Sequence, residues 1–169
     1  MTKYNSTDSE TVLSAEDDAA TVNMGGNWRM PTEADFNTLF AATTNAWVTD
    51  YQGSGVNGIL FTDKNDSSKV LFFPAAGYCY DGSVYYVDSD GSYWSSSLDT
   101  SSVIDGKYLY FYNNNCYMNY YNRFNGRAVR GVLDGQTTST VTTLGKTVTD
   151  AEKSAWNDKL DSSALTNYV

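Results

Sequence analysis

The chain has 169 residues, with 11 Lys and Arg against 20 Asp and Glu and no histidine. Its net charge of −9 disfavours binding to nucleic acid or to an anionic membrane surface. The lack of histidine excludes a Ser-His-Asp triad, a Cys-His dyad and a histidine-based zinc site. No apolar run approaches the ~20 residues of a membrane-spanning helix, and no apolar signal segment follows Met1, so we expect neither membrane insertion nor Sec export of the chain as written.

The first third of the sequence predicts two helices. Ser14 followed by Asp17 is close to a capping box, and Gly25-Gly26 would end the first helix. Thr32 would cap the second helix, whose apolar face consists of Phe36, Leu39 and Phe40.

After Trp47 the pattern changes to short strands separated by turns. Within residues 107–112 the side chains alternate, which places Leu109 and Phe111 on one face and Tyr108, Tyr110 and Tyr112 on the other. Helices followed by strands indicate an α+β domain. The sequence predicts strands at residues 58–62, 70–74, 107–112 and 127–133, with a polar hairpin connection at 64–68.

The last 36 residues differ in composition from the rest, and we place a domain boundary between residues 1–133 and 134–169. Residues 137–149 are rich in Thr and Ser, and residues 149–152 form a capping box that predicts a helix through about Leu160. A helix this short is marginal alone in water, so we expect it to pack against a partner.

Tyrosine and asparagine are concentrated between residues 78 and 125. Eleven of the 14 tyrosines lie between Tyr78 and Tyr121. Strand-favouring composition would explain one tyrosine-rich strand, but asparagine beside tyrosine disfavours strands. The combination is typical of antibody binding loops, where tyrosine supplies contact area and Asn, Ser and Gly supply adaptable hydrogen bonds. The sequence therefore predicts a binding surface.

Five short motifs follow one another along the chain: GGNWRMPT at 25–32, FPAAGY at 73–78, YWSSS at 93–97, YLYF at 108–111 and NGRAVR at 125–130. With them, residues 15–132 resemble the Fibrobacter-type major paralogous domain and are similar to variable proteins of diversity-generating retroelements, in which rewritten asparagine codons place varied side chains on a fixed scaffold. The resemblance implies an α+β, C-type-lectin-like fold of the formylglycine-generating-enzyme-like subtype, with two N-terminal helices followed by short antiparallel strands and long loops.

The resemblance also divides the residues into framework and variable positions. Cys79 and Cys116 fall among the variable positions, which implies that they do not form a framework disulfide. The implied framework residues are Trp28, Pro31, Phe73, Pro74, Gly77, Trp94, Ser95, Ser96, Leu109, Phe111, Gly126, Val129 and Arg130. The predicted ligand-binding residues are Tyr80, Asp81, Tyr85, Tyr86, Asp88, Asp90, Tyr110, Tyr112, Tyr117, Asn119, Tyr120 and Tyr121.

Residues 147–161 resemble a segment of phage tail-fibre and tail-collar proteins that joins the lobes of trimeric fibres. We therefore expect a non-enzymatic receptor-binding module on a phage or prophage tail fibre, acting outside the host cell on a cell-surface protein or glycan. The resemblance implies a homotrimer formed through the C-terminal segment. No cofactor, metal or nucleic acid is expected.

Three other functions stay open. An enzyme is disfavoured, because Asp17 and Asp18 suit a helix start, Asp88 and Asp90 lie among loop residues, and the copper-binding cysteine pair of the formylglycine-generating relatives is not matched. A calcium-dependent lectin would use the oxygens of Asp81, Asp88 and Asp90, although the Glu-Pro-Asn sugar motif is missing; a glycan could stack on tyrosines without metal. A bacterial cell-surface adhesin would carry the same domain without a phage.

Overall fold

Strands dominate the described part of the chain, which comprises residues 3–5 and 7–134 of a computed structural model. The predicted tail at 134–169, with its capped helix, lies outside the described residues apart from Asp134. In chain order the elements are α1 (Ala19–Met24), β1 (Trp28–Arg29), α2 (Glu33–Ala42), β2 (Thr43–Val48), β3 (Gly58–Asp63), β4 (Val70–Pro74), β5 (Tyr78–Tyr80), β6 (Ser83–Tyr85), β7 (Asp90–Leu98), β8 (Asp105–Tyr112), β9 (Asn115–Asn122), β10 (Gly126–Arg127) and β11 (Val132–Leu133).

These strands form four small antiparallel sheets. One sheet has the order β2-β3-β4, a second β7-β8-β9, a third β10-β5-β6, and β1 pairs with β11 in the fourth. The second and third sheets are linked through residue Ala128, which follows β10 and makes a parallel bridge to Tyr93 of β7. This link brings the β5–β6 hairpin beside the β8–β9 hairpin, and these two hairpins contain most of the tyrosines.

The fold prediction of an α+β, C-type-lectin-like domain with two N-terminal helices is wrong. The described chain is mostly strands in several small sheets, and α1 has only six residues. α1 begins after Asp18 rather than after Ser14, because the Asp18 carboxylate accepts hydrogen bonds from the backbone N–H groups of both Thr21 and Met30. The bond to Met30 ties the cap to the chain beyond the helix, which a local capping pattern does not reveal.

The last predicted strand, at 127–133, is also wrong as a single element. Arg127 ends β10, and Val132 begins β11, which pairs with β1 instead of β5. Between them, Arg130 donates a hydrogen bond to the carbonyl oxygen of Phe72 at 2.8 Å. The segment therefore passes from one sheet to another rather than continuing in one.

The helices of the described residues are too short and too polar to span a membrane.

The cap predicted at Thr32 is present at the start of α2. Thr32 Oγ1 accepts a hydrogen bond from the backbone N–H of Asp35 at 3.2 Å, and the Asp35 carboxylate accepts one from the backbone N–H of Thr32 at 2.7 Å. The Arg29 guanidinium also donates to both Asp35 oxygens, at 2.6 and 3.2 Å. This hydrogen bond from Arg29 is the main reason why the pKa of Asp35 falls to about 2.

Asp35→Asn is expected to destabilise the protein by about 1 kcal/mol at neutral pH, since a one-third-exposed ion pair is screened by solvent. The ion pair stabilises the native state fully above the unfolded carboxyl pKa of ~3.9 and is lost as the pH falls toward about 2. Urea unfolding across this range should therefore show a difference between wild type and variant that narrows below about pH 4. The control is Asp81→Asn in an exposed turn, which should stay within about 0.5 kcal/mol of wild type throughout. A constant Asp35→Asn difference down to about pH 2 would contradict the prediction.

The core lies between α2, the β2-β3-β4 sheet and one face of the β7-β8-β9 sheet. Phe73 is at its centre, with its ring edge-on to those of Phe61 and Tyr93 at centroid distances of 5.5 and 5.0 Å. Tyr93 donates its hydroxyl hydrogen to the carbonyl oxygen of Pro74 at 2.8 Å, so this polar group is satisfied inside the core. The buried cluster consists of Phe36, Ile59, Phe61, Phe73, Ala75, Tyr93, Leu109 and Phe111.

Candidate functional site

The central strand β8 separates core residues from tyrosines. Leu109 and Phe111 are fully buried on the face that packs against the core. Tyr108, Tyr110 and Tyr112 lie on the other face, and they become more exposed toward the end of the strand. Their ring centroids follow one another at 6.1 Å and 5.6 Å. The predicted alternation in this segment is confirmed.

Strand β9 extends this outer face. The antiparallel register places Tyr117 opposite Tyr110 and Asn119 opposite Tyr108, and their side chains therefore lie on the same side of the sheet. The rings of Tyr110 and Tyr117 meet edge-on at 5.6 Å. Tyr121, opposite Gly106, continues the same row.

The β5–β6 hairpin contributes a second group of rings. Its turn, Asp81-Gly82, has positive φ at both residues, the backbone of a tight two-residue hairpin turn that favours Asp-Gly. The pairing sets Tyr78 opposite Tyr85, and their rings stack with a centroid distance of 5.7 Å. The ring of Tyr86 also stacks against that of Tyr78, with a centroid distance of 5.9 Å.

Arg127 joins the two groups of rings. Its guanidinium carbon lies 3.7 Å from the ring centroid of Tyr108 and 5.6 Å from that of Tyr78, and further rings lie at 4.8 Å (Trp94) and 5.7 Å (Tyr121). The aromatic contacts therefore run without a break from one hairpin to the other. We call this surface the tyrosine face; it consists of Tyr78, Tyr85, Tyr86, Tyr108, Tyr110, Tyr112, Tyr117 and Tyr121 around Arg127.

The loop that follows β6 is fixed by hydrogen bonds despite its exposure. Tyr86 and Asp88 both have positive φ, at 59° and 62°, which is uncommon for residues other than glycine. The Asp88 N–H donates to the carbonyl oxygen of Ala75 at 2.8 Å, and Asn57 donates its amide hydrogen to the Asp88 carbonyl oxygen at 3.2 Å. Such backbone strain persists only where the surroundings enforce it, so the rings of Tyr85 and Tyr86 have a defined position.

Asp90 is the carboxylate that is bound within the tyrosine face. The Tyr110 hydroxyl donates a hydrogen bond to Asp90 Oδ2 at 2.6 Å. Burial, and then this carboxylate, raise the pKa of Tyr110 well above its usual value. Tyr110 therefore stays a neutral phenol at physiological pH, and its bond to Asp90 fixes the ring orientation at the middle of the face.

None of the twelve predicted ligand-binding residues is buried. Tyr85, Tyr86, Tyr110, Tyr112, Tyr117 and Tyr121 belong to the tyrosine face, with Asp90 and Asn119 among them. Tyr80 lies on the same side of β5 as Tyr78, and its ring is 6.0 Å from that of Phe124. Asp81 and Asp88 lie in the turns at the two ends of β6.

Tyr120 is separated from the other predicted residues. It pairs across the strands with Lys107, whose amine donates to Glu33 Oε2 of α2 at 2.6 Å. Side-chain alternation therefore places Tyr120 on the side of the sheet that carries α2, opposite to Tyr117 and Tyr121, although it is 56% exposed. Composition alone groups Tyr120 with Tyr117 and Tyr121, whereas the two-residue period of side chains along β9 places Tyr120 on the opposite face.

The sequence analysis missed four residues at or beside this surface. Tyr78 falls within the FPAAGY motif, and Tyr108 is not among the predicted ligand-binding residues although the alternation groups it with Tyr110. Nothing in the sequence distinguishes Arg127 from its neighbours Arg123 and Arg130. Phe124, in the turn after β9, is 72% exposed and extends the aromatic surface beside Tyr80.

The tyrosine face offers aromatic rings, hydroxyl groups, an amide and a guanidinium for contact with a ligand. Among residues 3–5 and 7–134, no three Cys, Asp or Glu side chains group closely enough to hold a metal ion. Both cysteines are free thiols. Burial raises the pKa of the Cys116 thiol to about 12, so it is no thiolate nucleophile at neutral pH.

A pocket of about 320 Å³ adjoins the tyrosine face, and its lining includes Tyr78 and Arg127. A cavity of about 560 Å³ lies elsewhere, beside α1 and β1, and it contains no residue of the tyrosine face. Its wall includes Trp28, Arg29 and Asp134, and the Arg29 guanidinium is already engaged by Asp35. Since its cation has a partner within the chain, this cavity offers less for a ligand than the tyrosine face does.

Comparison with known proteins finds a similarity to one protein family. A family model described as a domain of unknown function, DUF8237, matches residues 56–132. The matched range includes the whole tyrosine face, so this chain is similar to that family where its candidate site lies. No curated protein and no solved structure matches the chain.

Proposed function

We propose that the chain is a non-enzymatic ligand-binding module that contacts a cell-surface target through the tyrosine face. The observation that carries this proposal is the unbroken contact of eight tyrosine rings around one arginine on an outer surface. Tyr85, Tyr86, Tyr112, Tyr117 and Tyr121 are each between 41% and 58% exposed. Solvent-exposed aromatic groups in such a cluster mark an interaction site.

The physical properties of the tyrosine face suit binding. Tyrosine and arginine dominate the energetics of protein interfaces, because they supply contact area together with a polar group. The rings are also positioned before any ligand arrives, since strand pairing, stacking and the Tyr110–Asp90 hydrogen bond restrict them. Preorganisation reduces the entropy that binding must offset.

The proposal extends to where the module acts. The motifs shared with variable proteins of retroelements, and the tail-fibre resemblance of residues 147–161, support a variable receptor-binding protein on a phage tail fibre. Three copies joined through residues 134–169 would present three tyrosine faces to one cell surface. Multiple weak contacts then gain affinity through effective concentration.

The experiment compares the two sides of β9 in a binding assay with whole bacterial cells and an array of immobilised glycans. The double variant Tyr117→Ser with Tyr121→Ser removes two rings from the tyrosine face. It is expected to reduce retained fluorescence of the labelled full chain by about 30-fold or more, corresponding to about 2 kcal/mol for a binding hot spot.

The matched control is Tyr120→Ser, which removes an equally exposed ring from the opposite side of the same strand. It should leave binding within about twofold of wild type, because this ring does not touch the tyrosine face. Equal losses in the two variants, or undiminished binding by the double variant, would contradict the proposed site. Circular dichroism spectra of all variants establish that they are folded.

A further inference from the structure

Arg127 differs from every other lysine and arginine in the described residues. Arg29 pairs with Asp35 and Lys107 with Glu33, and the remaining cations each have a carboxylate or carbonyl partner. The side chain of Arg127 forms no ion pair or hydrogen bond within the part of the chain that the structure describes, and its Nε atom is buried without a partner. Arg127 is half-buried, and a partly desolvated cation without an anionic partner is costly, so this arrangement calls for a reason.

The surroundings of Arg127 compensate its charge only in part. Four aromatic rings within 3.7 to 5.7 Å provide cation–π attraction. Burial lowers the pKa of the guanidinium from its usual value, and the largest opposing influences are tyrosine hydroxyls rather than carboxylates. The group stays charged at neutral pH, with hydrogen-bond donors that are left for a ligand.

The backbone that carries Arg127 is fixed on both edges. Arg127 pairs with Tyr78 of β5 on one side. On the other side the next residue, Ala128, donates its N–H to the carbonyl oxygen of Ser92 and accepts from the N–H of Trp94, both at 3.0 Å. The backbone at Arg127 is therefore fixed, and an extended peptide cannot pair with β10 at this residue, although β6 and β9 are each the last strand of their sheet.

An anion would supply the missing partner. A guanidinium presents a planar fork of donors that matches a carboxylate with two hydrogen bonds, and such bonds are strongest where water is excluded. The acidic side chain bound within the same face, Asp90, accepts its hydrogen bond from Tyr110 and forms no ion pair with Arg127. The cation thus remains available in a chain whose net charge is −9.

We propose that Arg127 binds the carboxylate of an acidic sugar residue, while the neighbouring tyrosines stack on the sugar ring. This inference rests on the proposed function and assigns the ligand class of the same site. A pyranose ring offers C–H groups to aromatic faces and hydroxyls to polar side chains, and the exposed rings of Tyr121 and Tyr85 and the amide of Asn119 supply both kinds of contact. An acidic peptide is the competing ligand class, and it is disfavoured at Arg127 because both edges of β10 are occupied there.

The test titrates the full chain with methyl β-D-glucuronide and, as a neutral match, methyl β-D-glucoside. Two-dimensional NMR follows the Nε–H resonance of Arg127. We expect a saturable shift with the glucuronide and affinity at least about 10-fold weaker for the glucoside, equivalent to about 1.4 kcal/mol. Arg127→Met keeps a side chain of similar length that packs against the rings, and it should abolish the difference between the two sugars.

Each possible result of this titration either supports the inference or overturns it. Equal affinity for both sugars, no saturable shift with either, or unchanged discrimination in Arg127→Met would overturn the inference. A stronger Arg127 shift with N-acetyl-glutamate amide than with the glucuronide would overturn the saccharide assignment in favour of an acidic peptide. Amide spectra of Arg127→Met verify its fold, and Arg127→Lys, which keeps the charge without the fork, should retain only part of the discrimination. The proposed function fails separately, through the Tyr117 and Tyr121 double variant in the cell-binding assay.

Discussion

Phe111→Ala is expected to lower the free energy of unfolding by about 3–5 kcal/mol, the cost of removing a large ring from a close-packed core. Phe111 is fully buried, and its ring contacts those of Tyr93 at 6.0 Å and Trp47 at 6.5 Å. It also lies directly over Gly91, where a Cβ atom would come within 1.9 Å of the ring. Because the ring fills this space so closely, its removal leaves a cavity that the neighbouring backbone cannot readily close. Urea unfolding followed by circular dichroism measures the change.

The matched control is Tyr112→Ala at the next position of the same strand. Tyr112 points away from the core and is 41% exposed, so we expect a loss of about 1 kcal/mol or less. Its removal should instead weaken binding through the tyrosine face. Similar stability losses in the two variants would mean that β8 does not separate core from binding surface as described.

The division of β8 into a core face and a tyrosine face can be predicted from the sequence. In residues 107–112, aliphatic and aromatic core residues alternate with tyrosines, and a strand has a period of two. The β3–β4 hairpin can also be predicted from the sequence, because a polar turn separates two apolar runs. In both cases a local pattern and the buried face agree, so propensity and packing lead to the same structure.

The first helix illustrates where local signals are insufficient. Ser14 and Asp18 both offer a capping side chain at suitable spacing. The structure selects Asp18 because its carboxylate also binds the N–H of Met30, whereas Ser14 forms side-chain hydrogen bonds with Tyr4 and Lys3 near the start of the chain. Such contacts join residues ten or more positions apart, and single-sequence capping rules do not contain them.

The candidate site depends on the same kind of long-range contact. Composition pointed to the tyrosines as a group, but membership of one surface is set by the register between β8 and β9 and by the bridge that brings β10 to β7. That register removes Tyr120 from the surface, and the bridge places Arg127 over Tyr108. Neither fact can be derived from the spacing of residues along the chain.

Gly77→Ala is expected to destabilise the protein by about 2–5 kcal/mol and to weaken binding together with stability. Gly77 has a φ of +65°, a left-handed conformation that costs other residues about 1–2 kcal/mol. An added Cβ would also lie 1.9 Å from the carbonyl oxygen of Tyr85. Relief of this clash must move the Tyr85–Tyr86 peptide, and the two rings that stack on Tyr78 move with it.

Gly82→Ala separates the two causes. Gly82 has a φ of +73°, yet no atom lies within 4 Å of its added Cβ, so this variant carries the conformational cost without the clash. We expect a loss of about 1–2 kcal/mol and nearly unchanged binding to whole cells, because the turn at Asp81-Gly82 can absorb a methyl group. The difference between the two variants in urea unfolding then measures the close approach of Gly77 to Tyr85. If Gly77→Ala cost no more than Gly82→Ala and bound equally well, the β6 loop would not be positioned by this contact, and Tyr85 and Tyr86 would lose their place as fixed parts of the tyrosine face.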